Sequence, residues 1–127
     1  MKFHHIGFLT KNLNKTQKEF SFIGYKKNSK IINDKRLKVK ILFIKNSNNL
    51  IELVKPYNKI LGLLDLIEKK IFSYHFAYKT KKFSTDIYKL MKKFVMIVNP
   101  TPAIAFNNKK VCFFKMPNGF IIELIEQ

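Results

Sequence analysis

The sequence predicts an α+β protein made of two βαβββ modules, whose curved mixed sheets enclose a central cleft. Three observations carry this. The segment Ser73-Tyr74-His75-Phe76-Ala77-Tyr78 repeats Phe3-His4-His5-Ile6-Gly7-Phe8, and Ile121-Ile122-Glu123-Leu124-Ile125 repeats Leu50-Ile51-Glu52-Leu53-Val54. The offset is nearly constant: His75 lies 70 residues after His5, and Glu123 lies 71 after Glu52. Between these marks each half shows the same order of strand, helix and three strands, which is the signature of an internal duplication. Four strands with one apolar face in each half are most simply satisfied by two sheets packed about a common cleft, with helices on the outer faces.

The first half begins with Phe3 to Leu9, a short aromatic and branched run bounded by polar residues, hence a buried strand. Asn14 is expected to cap a helix from Lys15 to about Ile23, with Phe20 and Ile23 inward and Gly24 as the stop. Tyr25 to Ile32 reads as a strand and Asn33-Asp34 as a turn. From Leu37 to Ile44 apolar residues alternate with Lys38 and Lys40, which predicts a half-exposed strand. Asn46 to Asn49 form a hairpin loop, and Leu50 to Val54 the next strand, ended near Pro56.

Asn58 to Ile71 has helical spacing, with Ile60, Leu63, Leu64, Ile67 and Ile71 on one face, and is read as a connector. Ser73 to Lys79 then restarts the order. Ser84 is expected to cap a helix through about Phe94, with Ile87, Leu90, Met91 and Phe94 inward. Val95 to Val98 is a strand broken by Asn99-Pro100-Thr101-Pro102. Lys110 to Lys115 is another strand, Pro117-Asn118-Gly119 a turn, and Phe120 to Ile125 the last strand. The boundaries are residues 1–56 for the first module, 57–72 for the connector and 73–127 for the second, within one structural domain.

Composition narrows the function classes. At 127 residues and 46% hydrophobic, the chain can bury a core. It has no apolar run near the roughly 20 residues needed to cross a membrane, and no secretory signal pattern. A single cysteine, Cys112, forms no internal disulfide and fits a reducing cytoplasm; its strand setting makes it a small core residue. The net charge of +17 invites a nucleic-acid reading, yet Arg36 is the only arginine, and readers of base edges favour arginine. Drift in an A/T-rich genome accounts for the excess of Lys, Asn, Ile and Phe together. Nucleic acid is therefore not an expected partner, although the charge suits an anionic substrate.

The candidate site residues are His5, Glu52, His75 and Glu123. Strand alternation sets Glu52 on one face with Leu50 and Val54, and Glu123 with Ile121 and Ile125. A lone glutamate there would be read as an edge residue reaching solvent or a lysine, and a lone histidine as a satisfied core residue. His4, on the opposite face from His5, keeps that bland reading. The coincidence of both types, twice, at matching positions favours a shared ion, because a buried carboxylate must be paired or coordinated. Two imidazoles and two carboxylates suit one six-coordinate divalent ion (Ni, Co, Zn, Mn or Fe) with open positions for substrate. Open positions imply catalysis, in which a glutamate near the ion moves a proton. No phosphate-cradling glycine loop, nucleophile elbow or Cys-x-x-Cys competes with this reading.

These residues bring out a resemblance. His5-Ile6-Gly7-Phe8 before a helix, Ile51-Glu52-Leu53-Val54-x-Pro56, Tyr74-His75-Phe76-Ala77 and Pro117 to Glu126 resemble, in order and spacing, the vicinal oxygen chelate (glyoxalase) superfamily over nearly the whole chain. The resemblance implies paired βαβββ modules, metal ligands at His5, Glu52, His75 and Glu123, and proton transfer beside a carbonyl through a metal-bound enolate. Where lactoylglutathione lyases use an arginine and an asparagine for glutathione, this chain has Leu9 and Pro56. Glu-Leu-Val-x-Pro is closer to methylmalonyl-CoA epimerases, but the further glutamate those enzymes use as a second base would fall near Lys40, on a strand that contains no carboxylate here.

The expectation is thus a cytoplasmic, homodimeric metal-dependent lyase or isomerase, like a lactoylglutathione lyase or an acyl-CoA epimerase, acting on a thioester or hemithioacetal. Glu123 is the first choice of general base and Glu52 the second. The alternative is a non-enzymatic member of the same fold that sequesters a small molecule.

Overall fold

Branched and aromatic runs become strands here, and the two nine-residue segments with 3.6-residue periodicity become helices. The computed structural model describes residues 1–57 and 62–127. Among them the chain is α+β, with nine strands in parallel and antiparallel pairings and three α-helices. The order is β1 (Lys2–Leu9), α1 (Leu13–Ser21), β2 (Lys26–Lys27), β3 (Ile32–Asp34), β4 (Val39–Asn46), β5 (Asn49–Pro56), α2 (Leu63–Glu68), β6 (Ser73–Thr80), α3 (Phe83–Met91), β7 (Val95–Pro102), β8 (Lys110–Lys115) and β9 (Ile121–Glu126). Two compact units emerge: Ile6–Tyr74, and Met1–His5 with His75–Gln127.

In the first of these units the Ile6–Leu9 part of β1 runs parallel to β5, and β4 is antiparallel to β5, with β2 and β3 along its other side. Leu13 of α1 packs with Leu42, Ile44, Ile51 and Leu53 into a buried cluster, flanked by Phe8, Phe20 and Tyr25. Phe20 meets Phe8 and Tyr25 edge-on, with ring centroids 5.1 and 5.4 Å away. Because strand side chains alternate, Leu53 on the helix side forces Glu52 to the opposite face.

The second unit repeats the plan. There β6 is parallel to β9, β9 antiparallel to β8, and β8 antiparallel to β7. Phe83 of α3 packs with Cys112, Phe114 and Leu124, flanked by Tyr78, Ile87, Leu90, Phe94 and Met96. Leu124 faces α3, so Glu123 faces away from it. Cys112 is buried as expected, and burial first, then the nearby Glu123 charge, pushes its thiol up to about 12.

Several local expectations are corrected. Helix α1 starts at Leu13, not Lys15, because Asn12 and not Asn14 is the cap: its side-chain oxygen accepts the Lys15 N–H at 3.0 Å. Ser84 is not a cap either, since it lies inside α3. The feature common to both helix starts is a buried threonine. Thr10 accepts the Asn12 N–H and Thr80 the Lys82 N–H, each at 3.0 Å. Ile23 and Met91, expected inward, are exposed: Ile23 lies beyond the end of α1, and Met91 is the last residue of α3.

The strand expected over Tyr25 to Ile32 is split into β2 and β3. Asn33-Asp34 is not the turn but the end of β3. The Asp34 carboxylate accepts the N–H groups of Arg36 and Leu37 and closes the turn that follows. Strand β4 is not half-exposed: Ile41 to Ile44 are all buried, since β4 lies between β5 and the β2/β3 edge with α1 over one face. Strand β7 continues through Pro100 to Pro102, where it was expected to break. It is an edge strand with two register shifts, the setting in which a missing N–H costs least. The connector helix is short: α2 buries Leu63 and Ile67 while Ile71 is exposed, and residues 58–61, with Ile60, lie outside the described residues.

Candidate metal centre

The four predicted residues are all buried: His5 and His75 are 0% exposed, Glu123 2% and Glu52 5%. Each sits at a place set by strand pairing. Glu123 stands opposite Ala77 on β6 and Phe113 on β8. Glu52 occupies the same address in its own unit, opposite Gly7 on β1 and Phe43 on β4. In each repeat the neighbour on the parallel strand is therefore small, glycine in one and alanine in the other, which leaves room beside the carboxylate.

His5, His75 and Glu123 converge. The Nε2 atoms of the two imidazoles are 3.1 Å apart, and each is 3.2 Å from Glu123 Oε2. Three polar atoms thus point at one small volume, and Oε2 has no well-aligned hydrogen bond there. Burial alone would raise the Glu123 pKa, but the two adjacent imidazoles outweigh it and hold the carboxyl well below its usual range. Burial lowers the His75 pKa, as does His5, although Glu123 works against both. An anionic carboxylate beside neutral imidazole lone pairs is the charge state in which these groups bind a cation.

The donor set passes the test of fit for a divalent ion. His5, His75 and Glu123, all in one unit, each offer one ligand atom, and these atoms lie within 4.8 Å of one another. A buried cluster of imidazole and carboxylate of this kind could hold a metal ion, and the mixed nitrogen and oxygen donors suit a first-row divalent cation.

Aromatic rings frame the histidines. The Phe106 ring stacks on His5 at 6.1 Å and 15° between planes, and Phe113 meets His75 edge-on at 5.6 Å. His4 departs from its bland reading. Its Nδ1 lies 2.8 Å from Nδ1 of His5, and its ring also packs against Phe106 at 5.6 Å. Burial first, then the proximity of His5 and Lys79, lowers the His4 pKa to about 4. The sequence held a sign of this in the His4-His5 doublet, but nothing in it pointed to Phe106.

Comparison with solved structures shows which fold this is. A hypothetical protein from Bacillus halodurans superposes with a TM-score of 0.81 at 21% identity, over 99% of this chain and 94% of the other. Methylmalonyl-CoA epimerase from Mycobacterium tuberculosis gives 0.80 at 14%, over 98% and 87%. A Streptomyces coelicolor methylmalonyl-CoA epimerase variant in complex with 2-nitronate-propionyl-CoA gives 0.81 at 15%, over 100% and 97%. The fold is therefore of the type seen in these methylmalonyl-CoA epimerases. No protein-family model and no curated protein sequence matches the chain. At these identities the likeness establishes the architecture, and the chemistry must be argued from the side chains. No helix among the described residues is long and apolar enough to cross a membrane.

Proposed function

We propose that the protein is a metal-dependent enzyme that moves a proton at the carbon next to a carbonyl, with an acyl thioester as the favoured substrate class. The observation that carries this is the convergence of two imidazoles and a carboxylate, buried and within 3.2 Å of each other, on the β1, β6 and β9 strands. His5, Glu52, His75 and Glu123 are the proposed ligands. Glu123 is the proposed base, with Glu52 second. A carboxylate held this far down removes a proton from carbon only if that carbon is activated, and a bound divalent ion supplies the activation by polarising the carbonyl oxygen. The chain itself contributes a site that excludes water, an anionic proton acceptor and a fixed direction of approach. Methylmalonyl-CoA epimerases among the structural neighbours favour a thioester over a glutathione adduct. So do Leu9 and Pro56, which offer no charged or amide group for glutathione.

The proposal includes a cytoplasmic homodimer, to be seen by light scattering as twice the 15.1 kDa chain mass. The decisive experiment has two parts. Metal analysis of protein reloaded with nickel, cobalt or zinc is expected to show one ion per chain, lost in His5→Ala and Glu123→Gln. Incubation of the loaded protein with acyl-CoA thioesters in deuterated water is expected to exchange the α-hydrogen. Wild type that takes up no ion ends the metal reading. Stoichiometric ion with no exchange, in the presence of measurable thioester binding, would establish the sequestering alternative.

A further inference from the structure

We infer that His4 is a positioning residue: its Nδ1 accepts the Nδ1–H of His5 and so frees the His5 Nε2 lone pair for a cation. This rests on reading the cluster as an ion site. A neutral imidazole carries one proton. If the proton of His5 were on Nε2, it would project into the small volume shared with His75 Nε2 at 3.1 Å and Glu123 Oε2 at 3.2 Å, and would block coordination. Coordination requires the proton on Nδ1, and a buried N–H needs an acceptor.

Metal-binding histidines commonly find that acceptor in a carboxylate, a carbonyl or water. Here the atom that meets Nδ1 is the Nδ1 of His4, at 2.8 Å. Two nitrogens at that distance share one proton, so one donates and the other accepts. With His5 as donor, His4 carries its own proton on Nε2. Phe106 holds the arrangement by contacting both rings, edge-on to His4 and stacked on His5. His75 has no such doublet, since its preceding residue is Tyr74, so the two halves of the repeat differ at this point.

The test uses the full chain, first free of metal and then titrated with zinc. Proton–nitrogen correlation spectra of the histidine rings at neutral pH report the tautomer of His5 directly. His4→Phe keeps a ring and removes the acceptor, whereas His4→Asn returns an acceptor oxygen near the place of Nδ1. Wild type and His4→Asn are expected to show His5 protonated on Nδ1, and His4→Phe to shift it to Nε2. Zinc affinity is expected to fall about 10–100-fold in His4→Phe, the usual effect of losing such a partner, and to recover most of that in His4→Asn. An unchanged His5 tautomer in His4→Phe would overturn the inference. So would His4→Asn binding zinc as weakly as His4→Phe. Should wild type bind no zinc, the ion reading fails, while the metal-free spectra still decide the role of His4.

Discussion

Ala77 stands directly opposite Glu123 across the parallel pair of β6 and β9, with none of its surface exposed. Residues so paired share a face of the sheet. The methyl group of Ala77 therefore limits how close a neighbour comes to the carboxylate. Ala77→Leu is expected to force a branched side chain beside Glu123, destabilising the fold by about 1–3 kcal/mol. Its metal affinity should fall further than that of Ala77→Gly, which leaves the space open. Denaturant unfolding and a chelator competition read the two effects separately.

Ion binding and stability are linked, because the unfolded chain does not bring together residues that lie about 50 to 70 apart in sequence. An ion present at a hundred times its dissociation constant is expected to add about 2.7 kcal/mol to the wild type. The melting temperature should rise with added nickel, cobalt or zinc and drop back on chelation. In Glu123→Gln the same additions should leave it nearly unchanged. A full shift in that variant would show that the ion binds elsewhere.

The metal-free protein is expected to lose stability as the pH falls. The His75 pKa is lowered from its ordinary 6.5 in the folded state. Below 6.5 the unfolded chain therefore binds a proton that the folded chain refuses, and stability rises with pH in that window. Glu123, lowered from 4.5, has the same sign in a more acidic window: its contribution is present above 4.5 and is lost as the pH falls through the folded value. Melting temperatures should decline between about pH 7 and pH 5, and His75→Gln should flatten that part of the curve. A rise in stability on acidification would contradict the buried neutral imidazole.

Phe114 is fully buried under α3 beside Phe83, Cys112 and Leu124. Removing its ring leaves a cavity that neighbouring strands cannot close, so Phe114→Ala should cost about 3–5 kcal/mol in chemical denaturation. Cys112→Ala, a smaller deletion in the same cluster, should cost clearly less. Equal losses would mean that the packing around the ring differs from that described.

The sequence alone determined the repeat and the fold class, and it singled out four residues, His5, Glu52, His75 and Glu123, that are all buried. These are properties of pattern: a period-2 alternation places Glu52 and Glu123 on the face away from Leu53 and Leu124, whatever the details of the turns. It also exposed the A/T-linked lysine excess as weak support for nucleic acid. Local signals decided less. Asn14 and Ser84 looked like caps because their residue types are right, but the chain uses Asn12 and the buried pair Thr10 and Thr80, and only the hydrogen bonds distinguish them. Pro100 looked like a strand end, yet at a sheet edge its missing N–H is no obstacle.

What required the tertiary structure was every relation between residues far apart in sequence. The 3.2 Å contacts of Glu123 with two histidines and the stacking of Phe106 on His5 depend on strand register and ring packing, which no spacing encodes. Even the adjacent His4 needed it. Neighbouring side chains on a strand leave on opposite faces, so its Nδ1 meets that of His5 only because the two rings turn back toward each other against Phe106.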